Sequence, residues 1–373
     1  MSYHSYSPRS SNSFQPRPAA TGPNSYEYNY RAPSSSASHG SRKSTPLYVR
    51  KDLGSLVQTF QRPSGTINPA RITLVKPVSS YSWIEAGSKP TILVPALGAD
   101  IDLQDFDIVT DRNNLRKLLR WADGAQPGKE FRIDLDIAGK TCLFTRREEK
   151  DSEYLTRPRG YGHEYEKAAT RWPKGSERAT GHHRVISINM GGIKILLRFE
   201  LDACTQAVPS APSVLVDDLV TALTELRTEP SDSVNASSFN SLDIKRSENR
   251  TLVSQSSLIE IKTRSGTLDV DDTAPQLYLS QTPYLYLAKR EKGEFKHVES
   301  IQLDVDRVEG QVGKLRETLL DILTAVRQQG SGAELCLVYA NRKLELYQRK
   351  SGTGRAVGPE NLSKFANQSE DCK

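Results

Sequence analysis

The chain is poor in several residue types that would define common protein classes. Four cysteines (Cys142, Cys204, Cys336, Cys372) share no short spacing and form no Cys-x-x-Cys. That excludes a disulfide framework and a thiolate zinc site, and it fits a reducing compartment. No run approaches the roughly 18 apolar residues that a membrane helix needs. The N-terminus also lacks the apolar core of a secretory signal, so neither secretion by signal peptide nor a membrane span is expected. Aromatic residues make up 7% and apolar residues 36%, a shortfall that is unevenly spread.

Residues 1–45 are mostly Ser, Pro, Tyr, Arg and Gly, with almost no aliphatics. Such a leader cannot bury enough apolar surface to offset its ordering entropy, and disorder is expected there. Residues 46–350 have ordinary core density, enough for a single α/β domain, with 229–249 as a flexible Ser/Asn/Asp-rich insertion and 351–373 as a polar tail. The net charge of +6 and pI near 9.0 suit a polyanionic partner, although a Lys/Arg-rich solvated surface gives the same balance.

Along the chain, Tyr81–Glu85 and Thr91–Pro95 read as strands. Leu115, Leu118, Leu119 and Ala122 recur at helical spacing, with Asn113 as the expected cap and Gly124 beyond the end. Phe131–Glu148 reads as a hairpin turning at Ala138-Gly139-Lys140, and Tyr161–Arg171 as a short helix. A second hairpin turns at Gly191-Gly192. Ser213–Arg227 is amphipathic and predicts a helix. A helix through Gln281, a break at Pro283 and a strand through Ala288 follow. Then come a long helix over Arg307–Gln329 and a hairpin turning at Asn341-Arg342-Lys343. No internal repeat is present.

The chemistry concentrates in two apolar segments that end in spaced charge. In IKILLRFELDA, period-two alternation puts Glu200 and Asp202 on one strand face. In SLIEIKT it does the same for Glu260 and Lys262. Three carboxylates and a lysine beside inner strands are costly to desolvate unless a divalent cation sits among the acids and the lysine meets a phosphate. Glu-x-Asp, a long insertion, then Glu-x-Lys is the acidic pattern of PD-(D/E)XK-type metal nucleases. The expected fold is α/β (α+β), a mixed sheet core flanked by helices. A solvated charged surface is the alternative origin of the same residues.

Beyond the pattern, GYGHEYEK (160–167), LLRFELDACT (196–205) and IEIKTR (259–264) resemble successive motifs of the DXO-type mRNA decapping nuclease family. FDIVTDRNNLRKLL (106–119) is similar to its first motif and YLSQTP (278–283) to its glutamine-bearing helix, in collinear order over residues 105–300. The resemblance implies that Glu166, Asp202, Glu260 and the carbonyl of Ile261 hold Mg²⁺ or Mn²⁺. It implies that Glu200 helps to hold the attacking water, and that Lys262 and Gln281 position the nucleophile. Arg112 would bind substrate phosphate. The family's Gly-x-Arg motif is represented by Ala288-Lys289-Arg290, so Arg290 would also meet substrate.

The activity so implied is hydrolysis at RNA 5′ ends that are incompletely or unconventionally capped, with 5′–3′ exonuclease action in some members. The implied partners are an RNA 5′ end and a 5′–3′ exoribonuclease, and the implied setting is nuclear. Two rivals remain on the same core: a degenerate module that binds RNA or an exonuclease without cleaving, and a DNA-directed nuclease.

Other features carry less. His182 and His183 are adjacent on a strand and point to opposite faces, so they make a poor ligand pair. His163 reads as a surface residue beside Glu166. Asp269-Asp271-Asp272 reads as an acidic loop. Arg157, Arg159, Arg171 and Lys174, interleaved with Tyr154, Tyr161 and Trp172, read equally as a stacking surface for single-stranded RNA or as a solvated loop.

Overall fold

The computed structural model describes residues 46–84, 91–95, 101–125, 127–149, 161–172, 176, 178–205, 234–239, 242–247, 252–291, 294–301, 305–350 and 357–365. The leader, the Ser213–Arg227 segment and most of the loop carrying Arg157 and Arg159 lie outside those residues.

Hydrophobic periodicity accounts for most of the elements. The strands are β1 (Leu53–Phe60), β2 (Ile72–Ile84), β3 (Thr91–Pro95), β4 (Ile108–Asp111), β5 (Phe131–Ala138), β6 (Thr141–Arg147), β7 (Ala179–Met190) and β8 (Ile193–Glu200). They continue with β9 (Ala203–Cys204), β10 (Val234–Phe239), β11 (Leu242–Ser247), β12 (Leu258–Arg264), β13 (Tyr284–Glu291), β14 (Glu294–Ile301), β15 (Glu334–Ala340) and β16 (Lys343–Arg349). The helices are α1 (Leu47–Arg50), α2 (Arg112–Ala122), α3 (Gly162–Ala169), α4 (Val270–Ser280), α5 (Val305–Arg327) and α6 (Pro359–Leu362).

A large mixed sheet runs in the order β1-β16-β15-β5-β6-β4-β8-β7-β2-β3-β11-β10, and a smaller one in the order β14-β13-β12-β9. Most pairs are antiparallel. The short β4 is an exception, entering parallel to both β6 and β8, and β12 lies parallel to β13. Tight hairpins join the antiparallel neighbours where positive φ is available, at Gly191 (54°) and Gly192 (99°), and at Asn341 (52°) and Arg342 (65°).

Helices α2, α4 and α5 pack on one another, and their apolar faces join the sheet in one core. Leu115, Leu118 and Leu119 of α2 meet Val312, Leu315 and Leu319 of α5 and Ile133, Leu135, Ile195 and Leu197 of the sheet there. Each such fully buried side chain contributes about 1.5–3 kcal/mol. The opposite face of β5 carries charge instead. Arg132 bonds Asp134 at 2.6 Å and Arg349 bonds Asp136 at 2.9 Å, all four nearly solvent-free.

Three expectations are corrected. Asp111, not Asn113, caps α2: its carboxylate accepts the N–H of Asn114 at 2.9 Å, and Asn114 itself is buried. Part of the 229–249 insertion is a β-hairpin rather than a loop, since β10 and β11 pair and β11 runs parallel to β3 from Asp243↔Thr91 to Ser247↔Pro95. Backbone pairing to an existing edge holds this segment in place despite a composition rich in Ser and Asn, which are not strong strand formers. In the polar tail, Leu362 is buried against Ala138 and Leu143.

Two glycines of α5 provide a test. A Cβ on Gly313 would collide with the carbonyl oxygen of Asn68, whereas a Cβ on Gly310 would meet nothing within 4 Å. Gly313→Ala should therefore cost about 1–3 kcal/mol, and Gly310→Ala should add about 0.5–1 kcal/mol from helix propensity alone. Denaturant unfolding of both variants checks the pair, and equal effects would contradict this packing.

Candidate functional site

The strand that leaves β8 does not stop at the edge of the large sheet. Leu201 N–H still bonds His182 O at 2.9 Å, and two residues later the chain pairs with β12 of the small sheet, Ala203 opposite Ile259. Glu200 and Asp202 sit at this crossing. Asp202 extends the second ladder with its side chain, where Oδ2 accepts the N–H of Ile261 at 2.8 Å.

Glu260, 2% exposed, projects from β12 into a set of donors. Arg112 Nη1 reaches Oε2 at 3.0 Å, Gln276 Nε2 reaches Oε1 at 2.5 Å, and Lys262 Nζ pairs with the same Oε1. Arg112, the first residue of α2, also donates to Ser280 Oγ at 3.1 Å and lies 5.5 Å from the Phe199 ring centroid. Period-two alternation on β12 accounts for Glu260 and Lys262 sharing a face. Helical spacing on α4 does the same for Gln276 and Ser280.

Glu166 arrives from α3. Gly162 opens that helix against β12, where a Cβ would already stand 3.2 Å from Thr263 Oγ1. One turn later, Glu166 lies within the fields of Lys262, Glu200 and Glu260. Tyr165 anchors the helix on Phe295 (ring centroids 4.5 Å apart), and Arg290 stacks over Tyr161 at 4.3 Å. His163 is exposed, with Nδ1 3.6 Å from Glu166.

The cluster holds four carboxylates (Glu166, Glu200, Asp202, Glu260) against two cations, Arg112 and Lys262. Burial, with the neighbouring Glu260 charge, pushes Asp202 up to about 7 against the pull of Lys262 and the Ile261 N–H. Burial also raises Glu166, opposed by His163 and Lys262. For Glu260, burial alone would raise the carboxyl, but Arg112 and Lys262 outweigh it and hold the group below its ordinary value. Oxygen donors with excess negative charge are the chemistry that a hard divalent ion takes. Among the described residues, no three His, Cys, Asp or Glu side chains form a ready-made cation cage. The donor types fit such an ion, and Glu260 would have to share its oxygens with protein cations to bind one.

Of the expected site residues, Arg112, Glu166, Glu200, Asp202, Glu260 and Lys262 come together, with the Ile261 backbone alongside. Two do not take the expected place. Gln281 caps α4 in the left-handed region (φ 50°), and its Nε2 donates to Tyr278 O at 2.6 Å, so Gln276 is the glutamine that meets the cluster. Arg290 stacks on Tyr161 at the start of α3. Gln276 and Ser280 were missed, and their signal was two polar residues one helical turn apart in the mostly apolar second half of the helix. Arg112 was expected to face substrate; it is 12% exposed and engaged with Glu260.

The raised Asp202 carboxyl favours the folded state while it is protonated, and this contribution disappears as pH climbs through about 7. Asp202→Asn keeps an acceptor for Ile261. With chelator present, its gain in stability over wild type should grow between pH 5 and pH 8, by up to a few kcal/mol. Thermal melts at both pH values check this, and a difference that does not grow contradicts the assignment.

Solved structures share this architecture. Candida albicans Rai1 in complex with pU5 and Mn²⁺ is 13% identical with a TM-score of 0.52, over 83% of this chain and 99% of that one. S. pombe Rai1 in complex with 3′-FADP is 13% identical with a TM-score of 0.51, over 76% of this chain and 96% of that one. The fold that the DXO-type resemblance implies is therefore the one present. No curated protein sequence matches the chain. A family model described as "Domain of unknown function (DUF8563)" matches residues 78–352, and the chain belongs to that family.

Proposed function

We propose that this chain is a divalent-metal-dependent hydrolase acting on RNA 5′ ends, removing incomplete or unconventional caps by pyrophosphate or phosphodiester hydrolysis. The observation that carries the reading is a cluster of four carboxylates, with Glu260 deeply buried, against two cations where β8 crosses between sheets, on a fold shared with Rai1. The Candida albicans protein of that fold was crystallised with pU5 and Mn²⁺ and the S. pombe protein with 3′-FADP, so RNA and nucleotide ligands suit the scaffold.

In this reading Glu166, Asp202, Glu260 and the Ile261 carbonyl hold Mg²⁺ or Mn²⁺. The bound ion would supply Lewis-acid polarisation of a phosphoryl oxygen and a more acidic water. Glu200, exposed at the end of β8, would orient an attacking water and take up a proton at its carboxylate. Lys262 offers a compact positive charge to the phosphate as negative charge develops. Arg112 and Gln276 act as positioning residues by fixing the Glu260 carboxylate. A nuclear setting and a 5′–3′ exoribonuclease partner belong to the same proposal.

A second reading is a non-catalytic RNA- or exonuclease-binding module. It is favoured by one observation: both Glu260 oxygens already accept from Arg112, Lys262 and Gln276. Hydrolysis assays with Mn²⁺ separate the two. The substrates would be 5′-labelled RNAs bearing triphosphate, unmethylated cap, methylated cap or nicotinamide-dinucleotide ends. Wild type should release a 5′ fragment from at least one, and Glu260→Ala should lose about 10³-fold or more, with Mn²⁺ binding weakened in calorimetry. Silence on all four ends, with RNA binding retained by both proteins, selects the second reading.

A further inference from the structure

The sheet face beside Glu200 carries a group of rings that the hydrolytic cluster does not use. Tyr81 on β2 lies opposite His183 on β7, and their rings stack with centroids 5.0 Å apart and planes within 5°. Trp83, two residues further along the same face, meets Tyr81 edge-on at 5.9 Å and 86°. Its cross-strand neighbour on β7 is Gly181, which presents no side chain of its own to the indole. On the next strand, Glu200 is paired with His183, and a Cβ on Gly181 would stand 3.4 Å from Glu200 Oε1. The glycine is thus a bare floor between an indole wall and a candidate catalytic carboxylate.

A cation completes the surface. Arg198, 45% exposed on β8, reaches toward the Tyr81 hydroxyl at 3.5 Å and Asp111 at 3.6 Å. Burial, then the charges of Arg198, His182 and Arg146, push His183 down to about 4, so its ring is neutral at neutral pH. Flat aromatic walls with an arginine nearby favour a planar, anion-bearing ligand. Single-stranded RNA offers that chemistry, because its unpaired bases stack on aromatic side chains while its phosphates meet cations.

We propose that Trp83, Tyr81 and His183, floored by Gly181 and flanked by Arg198, form a nucleobase-stacking subsite that leads single-stranded RNA into the carboxylate cluster. This rests on the RNA reading above and adds the element that holds the base next to the reacting phosphate. Gly181 is the specificity feature: a side chain there fills the space in which the base stacks on Trp83.

The test is equilibrium binding, by fluorescence anisotropy in chelator, of a 5′-phosphorylated pentauridylate and of the same ribose-phosphate backbone without bases. Trp83→Ala and Gly181→Val should each weaken pentauridylate binding about 10- to 100-fold and leave binding of the base-free backbone unchanged. Trp83→Phe should restore most of the loss. Thermal melts identify any variant that fails to fold, in which case the remaining variants decide. If wild type prefers pentauridylate and folded Trp83→Ala and Gly181→Val keep that preference, the subsite is overturned while the RNA reading stands. If wild type binds both oligomers equally, the subsite is likewise overturned. If it binds neither, the RNA reading fails and the subsite fails with it.

Discussion

The buried pair between Arg112 and Glu260 ties the site to the fold. Both side chains are nearly removed from solvent, and charges taken out of water at that depth are tolerated only when their remaining hydrogen-bonding capacity is satisfied. That requirement reaches into four elements. The first residue of α2 supplies the guanidinium, β12 supplies Glu260 and Lys262, and α4 supplies Gln276 and Ser280. The end of β8 contributes the Glu200 carbonyl at 3.4 Å from Arg112 and the Phe199 ring beneath it. Removing one partner leaves an uncompensated charge in the interior, typically about 3–5 kcal/mol. The chemistry-bearing residues are therefore also what fixes α2 and α4 against the strands.

The same interaction creates a tension that bears on function. Glu260 is held ionised by its cations, whereas Asp202, one strand away, is driven toward its protonated form by burial and by Glu260 itself. Two buried carboxylates with opposite shifts are the arrangement from which acid–base and metal chemistry are built. The upward push on Asp202 and the two protein cations offset charge in the place where a divalent ion would otherwise do so. Charge compensation in this cleft can thus come from within the chain or from an ion, and the balance between them separates a hydrolase from a scaffold.

One strand organises both surfaces. Up to Glu200, β8 belongs to the large sheet and presents Arg198 and Glu200 beside the rings of β2 and β7. From Ala203 it belongs to the small sheet, with Asp202 bonding into β12 between the two. Crossing from one sheet to the other turns a linear Glu-x-Asp into the meeting point of an aromatic slot and a carboxylate cluster.

Much of this was legible in the sequence, because period-two and helical spacing are local properties. Alternation alone placed Glu260 with Lys262, marked the hairpins at Gly191-Gly192 and Asn341-Arg342, and indicated a mixed α and β core, whereas Glu200 and Asp202 are not on one strand face because β8 ends at Glu200. What stayed hidden depends on contacts between distant segments. Asp111 displaced Asn113 as the cap because β4 delivers it extended to the helix start. Gln276 displaced Gln281 because the chain turns left-handed at 281, pointing that side chain back at its own helix. The hairpin over 234–247 exists because β3 offers it an edge, and the charges of β5 are buried because β16 brings Arg349 across to them. Residue types and their periodicity, set by bond geometry within a few residues, determined which groups could do chemistry. Only the packing of α2, α3 and α4 on the two sheets decided which of them share one cleft, since that choice is made by burial and charge compensation between residues up to 168 positions apart.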